Sequence, residues 1–460
     1  MSDKRGVRAA TTGVRMLVGA LVAAACVVGT VLAVSAPLPG VMHEPAQAEV
    51  TPLPGDTVLV CNGDARAIGR DSANPLQQTS AGSPQFTTGS IGAEPETTLL
   101  SAGDLADAGE VRRLTGAPDD RTAPLIAATE SVTLTADDLT GFAALPCREA
   151  ATESWLVGGT VETGSSDLVV LTNPGAVPSS VTLTSYSDTP GTTTKVVPAG
   201  GQIVVPLASV AAGATAPVVH VEATGSPVRA VLQTSLVRTL DPVGVDLVDA
   251  VAAPQRHPVI PAVQIVQDDG DGASSAVLRL MAPRDDARAT VTVREIGSSA
   301  VASTFDVELE QGFPVEVGFS SLDPGMYSVE VDADVAVLAA VREQDGGGPG
   351  SDFAWATPAP EFTDEVLVAV PAGPAAALYL TNDEDTDATV TIEATDGGDP
   401  EQVTVPAGSS LEVDVDPQTV YTLTTSSAVH AAVTMSAKGA LAAWPVWPPA
   451  SGENSIVVYP

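Results

Sequence analysis

The sequence predicts an all-β protein, tandem immunoglobulin-like β-sandwich domains placed after one N-terminal transmembrane helix. Three observations lead there. A single uncharged apolar run lies near the N-terminus, short strands with period-two alternation are broken by Gly, Pro and Asn turns, and a unit of about 100 residues recurs three times.

The apolar run Met16 to Ala36 matches the ~20 residues needed to cross a bilayer core. Lys4, Arg5, Arg8 and Arg15 precede it, so residues 1–15 read as a cytoplasmic tail, 16–36 as the anchor, and everything beyond as exported. The expected localisation is the cell membrane, single-pass, with the bulk extracellular. A cleaved signal peptide is the competing reading, because Ala46-Gln47-Ala48 has the small-x-small form of a peptidase site, although it lies well beyond the apolar core. Cys26 sits inside the run, whose apolar character continues past it, and reads as a bystander thiol.

Residues 37–55 are proline-rich and aperiodic, the pattern of an extended stalk. Residues 56–160 hold scattered strand-like segments around Cys61 and Cys147, the only cysteines of the exported part. In an oxidising exterior the two form a probable disulfide, closing a loop of about 85 residues worth about 4 kcal/mol in the chain-entropy model.

Three copies follow, assigned to 161–255, 256–350 and 351–460. LVVLTNP, AVLRLMAP and ALYLTND open them with Leu171, Leu280 and Leu380 in register. Alternating strands begin at Val181, Val291 and Val390. A turn glycine then recurs at Gly200, Gly312 and Gly408, between two strands that read as a hairpin, and a closing pair of strands brings each copy to about six. A period of about 100 residues exceeds a solenoid turn or propeller blade and fits a self-sufficient sandwich, so three independent sandwiches in a row are expected.

Cys61 after a strand, GFAALPCREAATESWLVGG at 141–159, LTNPG at 171–175 and VPAGG at 197–201 make the exterior resemble an uncharacterised actinobacterial family of membrane-anchored exported proteins, a domain of unknown function. That resemblance implies a cell-envelope role, since such genes are often encoded near envelope glycosyltransferases. The family's Cys-Pro-Gly stands here as Cys61-Asn62-Gly63.

The formal charge of −37, from 57 acidic against 20 basic residues, sets an acidic exterior against nucleic acid and anionic lipid, so no nucleic-acid partner is expected. No enzyme signature emerges: HExxH, paired CxxC, the GxSxG elbow and a complete EF-hand loop are missing, and catalytic residues are expected to be none. His220 falls where the other copies have Ser328 and Thr422, and His430 where they have Arg229 and about Ala336, so no copy gathers two histidines. His43 lies in the stalk and His257 in a loop between copies. No cofactor is expected. Asp268-Asp269-Gly270-Asp271-Gly272 and Asp383-Glu384-Asp385-Thr386-Asp387 offer Ca²⁺ weak oxygen ligation, against the plainer reading of solvated acidic turns.

Trp155, Trp355, Trp444 and Trp447 mark the junctions of copies. They read either as indoles sealing seams or as sugar-stacking contacts. The function expected from all this is a tethered, non-catalytic structural or interaction protein of the cell envelope, binding an envelope glycan or another exported protein. An accessory carbohydrate-binding module for an envelope glycosyltransferase is the alternative. A glycan-cleaving enzyme using carboxylates such as Asp268 and Asp271 is the third reading.

Overall fold

The computed structural model describes residues 4–35, 48–50, 54–449 and 456–458, except 71, 75–76, 104, 106–108, 110, 120–121, 268–274 and 347. Most of the stalk, His43 and the Asp268–Asp271 cluster fall outside the described residues. The N-terminal helix Lys4–Ser35 contains the span Gly13–Leu32, of mean hydropathy 2.1 and fully exposed, the length and composition of a membrane anchor or a signal sequence. In the same unit, Ala48–Val50 pairs antiparallel with Ile456–Val458.

Residues 53–453 form the second unit, all-β, built on three immunoglobulin-like sandwiches. In chain order the first uses the strands Glu153–Val157, Leu168–Asn173, Ser179–Tyr186, Gly191–Val197, Gly201–Pro206, Val218–Gly225, Arg229–Arg238 and Asp241–Asp249. One sheet runs first-sixth-third-fourth, the other fifth-second-seventh-eighth. The second sandwich, from Val259–Ile265 to Phe353–Ala356, and the third, from Glu365–Val370 to Ala440–Pro445, repeat both orders. Each copy therefore has eight strands rather than about six, because the repeat extends outward by a first and a last strand. Trp155 belongs to the first strand of sandwich one, inside the copy it was expected to precede, and Trp355 to the last strand of sandwich two.

The internal register is conserved to the residue. Leu171 faces Ala230, Leu280 faces Ala339 and Leu380 faces Ala431, and all three leucines are fully buried. The recurring glycine sits at positive φ in each copy, 59° at Gly200, 76° at Gly312 and 61° at Gly408. Its turn is not a hairpin, however, because the strands it joins lie in opposite sheets. A left-handed glycine serves a sheet-to-sheet crossing as well as a tight hairpin, and the local sequence does not distinguish them.

Residues 56–147 add to the first sandwich instead of standing apart. The strand Glu96–Ala102 pairs in parallel with the edge of Gly201–Pro206, and Val111–Gly116 and Thr57–Val60 follow, giving a seven-stranded sheet. A second sheet, Gln85–Ile91, Leu125–Ala136 and Leu139–Pro146, covers its outer face. Leu168–Asn173 is consequently buried on both sides: Val169 and Leu171 enter the sandwich core, while Leu168 and Val170 pack under Val132, Leu134, Ala143 and Leu145. That is why LVVL reads as an unbroken apolar run rather than an alternating one. The Cys61–Cys147 disulfide, Cα–Cα 4.3 Å, ties the two ends of this region beside a small core of Leu59, Leu114 and Ala128.

The modules are not independent beads. The first core takes in Met281, Leu338, Phe353 and Trp355 from the second sandwich, the second takes in Leu441 and Ala443 from the third, and the third takes in Phe142 and Ala144 from the N-terminal region. Leu125 and Ala127 pack on Leu367 and Val420 as well. At the centre lies the fully buried carboxylate of Asp352. Its Oδ2 accepts the N–H groups of Phe142 (2.7 Å) and Leu441 (3.0 Å), and its Oδ1 those of Val245 and Phe353 (both 3.0 Å), one donor from each of the four modules. A Cβ at Gly141 (φ 147°) or Gly244 (φ 130°) would come within 2.6 Å of Oδ1, so both approaches require glycine.

Two outcomes follow for unfolding. Replacing Cys61 and Cys147 together by serine is expected to remove about 4 kcal/mol, the loop-closure value, measured by urea denaturation. Asp352→Asn turns an –NH₂ toward N–H donors and leaves at least one unpaired; a loss of about 3 kcal/mol or more is expected from the same measurement.

Candidate functional site

The four tryptophans lie in different surroundings. Trp155 is buried and stacks on His220, centroids 3.9 Å apart, with Tyr186 tilted beside it at 5.5 Å. Trp355 is buried with the Arg279 guanidinium 4.7 Å from its ring centre, and its backbone N–H donates to Asp246 Oδ2 at 2.7 Å. Trp444 enters the third core at the register position of Val248 and Ala356. Only Trp447 is half-buried. Arg148 lies 3.2 Å from its ring centre, and its Nε1 donates to Asp249 at 3.0 Å.

Asp249 is a second clasp. Arg148 Nη1 reaches Oδ2 at 2.8 Å and Arg229 Nη1 reaches Oδ1 at 2.6 Å. Burial alone would raise this carboxyl, yet the two guanidinium groups hold it below the ordinary carboxylate range. Beside it a groove of about 400 Å³ runs between the N-terminal region and the third sandwich, walled by Pro146, Leu125, Leu367, Trp444 and Trp447.

Sequence register keeps the histidines apart within each copy, but packing joins two across copies. His257 Nε2 lies 3.2 Å from Asp383 Oδ2 and His430 Nε2 3.5 Å from Asp383 Oδ1, while His257 Nδ1 meets Asp332 at 2.7 Å and His430 Nδ1 meets the Ala359 carbonyl at 2.8 Å. Asp383, read above as a possible Ca²⁺ ligand, is thus engaged by histidine. Among the described residues no three His, Cys, Asp or Glu side chains are arranged to hold a metal ion. His220 instead meets Glu153 at 3.0 Å. The register also puts Leu338, not Ala336, at the position in the second copy equivalent to His430.

A cleft of about 450 Å³ opens between the first and second sandwiches. Arg279, Arg342, Arg238, Glu162, Glu316 and Asp167 line it, drawn from both sandwiches. Arg279 is buried and fully engaged: it donates to the carbonyls of Pro217 (2.8 Å) and Gly159 (2.9 Å) and to Glu316 (2.8 Å). Arg342 is half-buried, and no hydrogen bond or ion pair holds it among the described residues; Glu316 and Glu162 attract it at longer range and Arg238 repels it. Asp167 accepts the N–H groups of Thr160 (2.7 Å) and Ser235 (3.0 Å), and burial pushes its carboxyl up to about 7.

Sequence reasoning missed this cleft, although one signal was present. Arg279 interrupts an apolar strand at the register position of Val170 and Tyr379. By contrast, the Asn of the LTN segments is structural: Asn173 and Asn382 each donate to two loop carbonyls and accept one backbone N–H, fixing the turn behind the second strand.

The histidine clasp makes stability depend on pH. The bond to Asp383 raises His257 from 6.5 to about 9, so its contribution is complete below the ordinary histidine value and is lost as pH rises through 9. Asp383 is held below its ordinary value, first by the same bond, so the clasp also weakens as the solution becomes strongly acidic. The melting temperature is expected to fall more between pH 7 and 10 in the native chain than in His257→Gln, checked by calorimetry.

No curated protein matches the sequence. Among solved structures the chain is similar to the crystal structure of chicken CNTN1 FN1–FN3 domains, at 12% identity over 67% of this chain and 98% of that one, with a TM-score of 0.10. A family model of unknown function covers residues 102–416, from the end of the strand Glu96–Ala102 into the third sandwich. The chain belongs to that family, DUF5719.

Proposed function

We propose that the chain is a membrane-tethered, extracytoplasmic, non-catalytic interaction protein of the cell envelope, whose partner is an envelope glycan or another exported protein. The observation that carries this reading is how the buried carboxyls are spent. Burial pushes Asp352 and Asp246 up to about 8 and Glu130 to about 7, the range of a general acid or base. Yet all three are occupied by backbone N–H donors: Asp352 and Asp246 lock neighbouring sandwiches together, and Glu130 holds Asn62 and Gly63. These three groups build a rigid platform; Asp167, at about 7 beside the cleft, is likewise held by two backbone N–H groups, and Glu343, at about 8, is buried away from solvent. The basic residues in the first turns of the N-terminal helix, ahead of its apolar run, and the disulfide support an exported body held at a membrane.

A second reading, a glycan-binding accessory module, is favoured by one feature, the half-buried Trp447 on the groove beside Arg148. Of the four indoles it keeps the most exposed surface for a sugar ring.

Two measurements on the full chain separate the readings. Crosslinking in intact cells followed by pull-down is expected to recover one exported protein reproducibly. Retention on immobilised envelope polysaccharide that Trp447→Ala abolishes without lowering the melting temperature transfers the assignment to the glycan. Hydrolysis of cell-wall material by the purified chain, lost in a single Asp→Asn variant, overturns the non-catalytic reading.

A further inference from the structure

We propose that the cleft between the first and second sandwiches binds a small hydroxylated ligand through its oxyanion, a carboxylate or a phosphate, and that Arg342 is the residue that meets the charge. This goes beyond the platform role and does not depend on which macromolecule the platform contacts.

The repeat supplies its own control. The outer face of the second sheet in sandwich one carries Val170, Val204 and Leu247, and it is sealed by the N-terminal region. At the same register positions sandwich two carries Arg279, Glu316 and Trp355, and Arg342 replaces Gln233. Val170 and Val204 face one another as Arg279 and Glu316 do, and Gln233 faces Leu247 as Arg342 faces Trp355. The shared framework tolerates an apolar seal at this face, so the charged set is not a demand of the fold. Where the apolar set closes on protein, the charged set borders about 450 Å³ of open space, the size range of a small-molecule site.

The charges in that space are unequal in their duties. Glu316 is bonded to Arg279 through both Nε (3.1 Å) and Nη2 (2.8 Å), so Arg342 feels Glu316 and Glu162 only at longer range and is repelled by Arg238. A half-buried guanidinium without a bonded partner is unfavourable unless an anion completes its fork of donors, and a carboxylate or phosphate matches that fork. In a chain of net charge −37, three arginines converging on one cleft is an arrangement the average surface opposes.

The rest of the wall fits hydroxyl groups. Thr160, Thr163, Thr215 and Ser235 border the space, and the buried Thr234 Oγ1 on the same wall has no hydrogen-bond partner among the described residues. Two of the three non-glycine residues at positive φ among the described residues, Ala216 (49°) and Thr239 (61°), also lie on this rim. A β-branched residue there is strained where glycine would be free, a cost that clusters at binding sites.

The test uses the full-length chain in detergent micelles, titrated calorimetrically with inorganic phosphate, glucuronate and glucose 6-phosphate, with glucose as the neutral control. Saturable binding of at least one anion and none of glucose is expected. The preferred anion separates carboxylate from phosphate. Arg342→Gln is expected to weaken binding at least about tenfold, Arg342→Lys to retain part of it, and Arg288→Gln, on an exposed strand of the same sandwich, to leave it unchanged. In the native chain, bound anion is expected to protect Arg342 but not Arg288 from phenylglyoxal, read by mass spectrometry, which decides the matter even if a variant fails to fold. Absence of saturable anion binding, equal binding of glucose, or bound anion with unprotected Arg342 overturns the assignment. None of these outcomes bears on the crosslinking result, which scores a macromolecular partner.

Discussion

The β body of residues 53–453 depends on one buried carboxylate. Apolar contacts bring four modules together, but apolar surfaces slide; they specify area more than position. Asp352 supplies position. Its two oxygens offer about four acceptor sites, and each is filled by a backbone N–H from a different module, with partners 210, 107 and 89 residues away and one adjacent. Backbone donors cannot change rotamer, so the carboxylate fixes chain segments and not merely side chains. The two glycines at its rim admit the approach, and no other residue type fits there without displacing the oxygen.

Such a hub has a thermodynamic signature distinct from that of a surface ion pair. Burial pushes the Asp352 carboxyl up and its four N–H donors pull it down, and burial prevails, leaving the group at about 8. Its value lies in the alternatives it forbids. Any arrangement in which one module shifts leaves either a buried N–H or a buried carboxylate oxygen unpaired, and each such group costs about 1–3 kcal/mol. Asp249 works on the same principle with charged donors, binding Arg148 and Arg229 and thereby tying the disulfide end of the N-terminal region to the first sandwich.

What the sequence made legible follows from the range of the interactions involved. Period-two alternation, the recurring Leu171, Leu280 and Leu380, and the pair Cys61 and Cys147 beyond the apolar run act locally or by simple counting. All three survive in the structure as strands, register and disulfide. The hairpin reading of Gly200, Gly312 and Gly408 failed because a left-handed glycine reports the φ of a turn and not which sheet the chain enters next. Independence of the copies failed because the residues that join them, Asp352 with Gly141 and Gly244, or His257 with Asp383 and His430, are each unremarkable in their own segment. Only Arg279, a charge inside an apolar strand, announced a site from within its own six residues.

The three copies therefore share an inside and differ on the outside. Inward positions such as Leu171, Leu280 and Leu380 keep one residue type because a close-packed core punishes any change of volume. Outward positions have no such constraint and record what each copy faces. In the first copy they are apolar and face the N-terminal region; in the third, Tyr379 is buried beneath the neighbouring sandwich; in the second, they are charged and face a cleft. Identity of fold with divergence at one face is what a repeated scaffold yields when each copy packs against a different neighbour. The position of function in this chain is accordingly better sought in the difference between copies than in the features they hold in common.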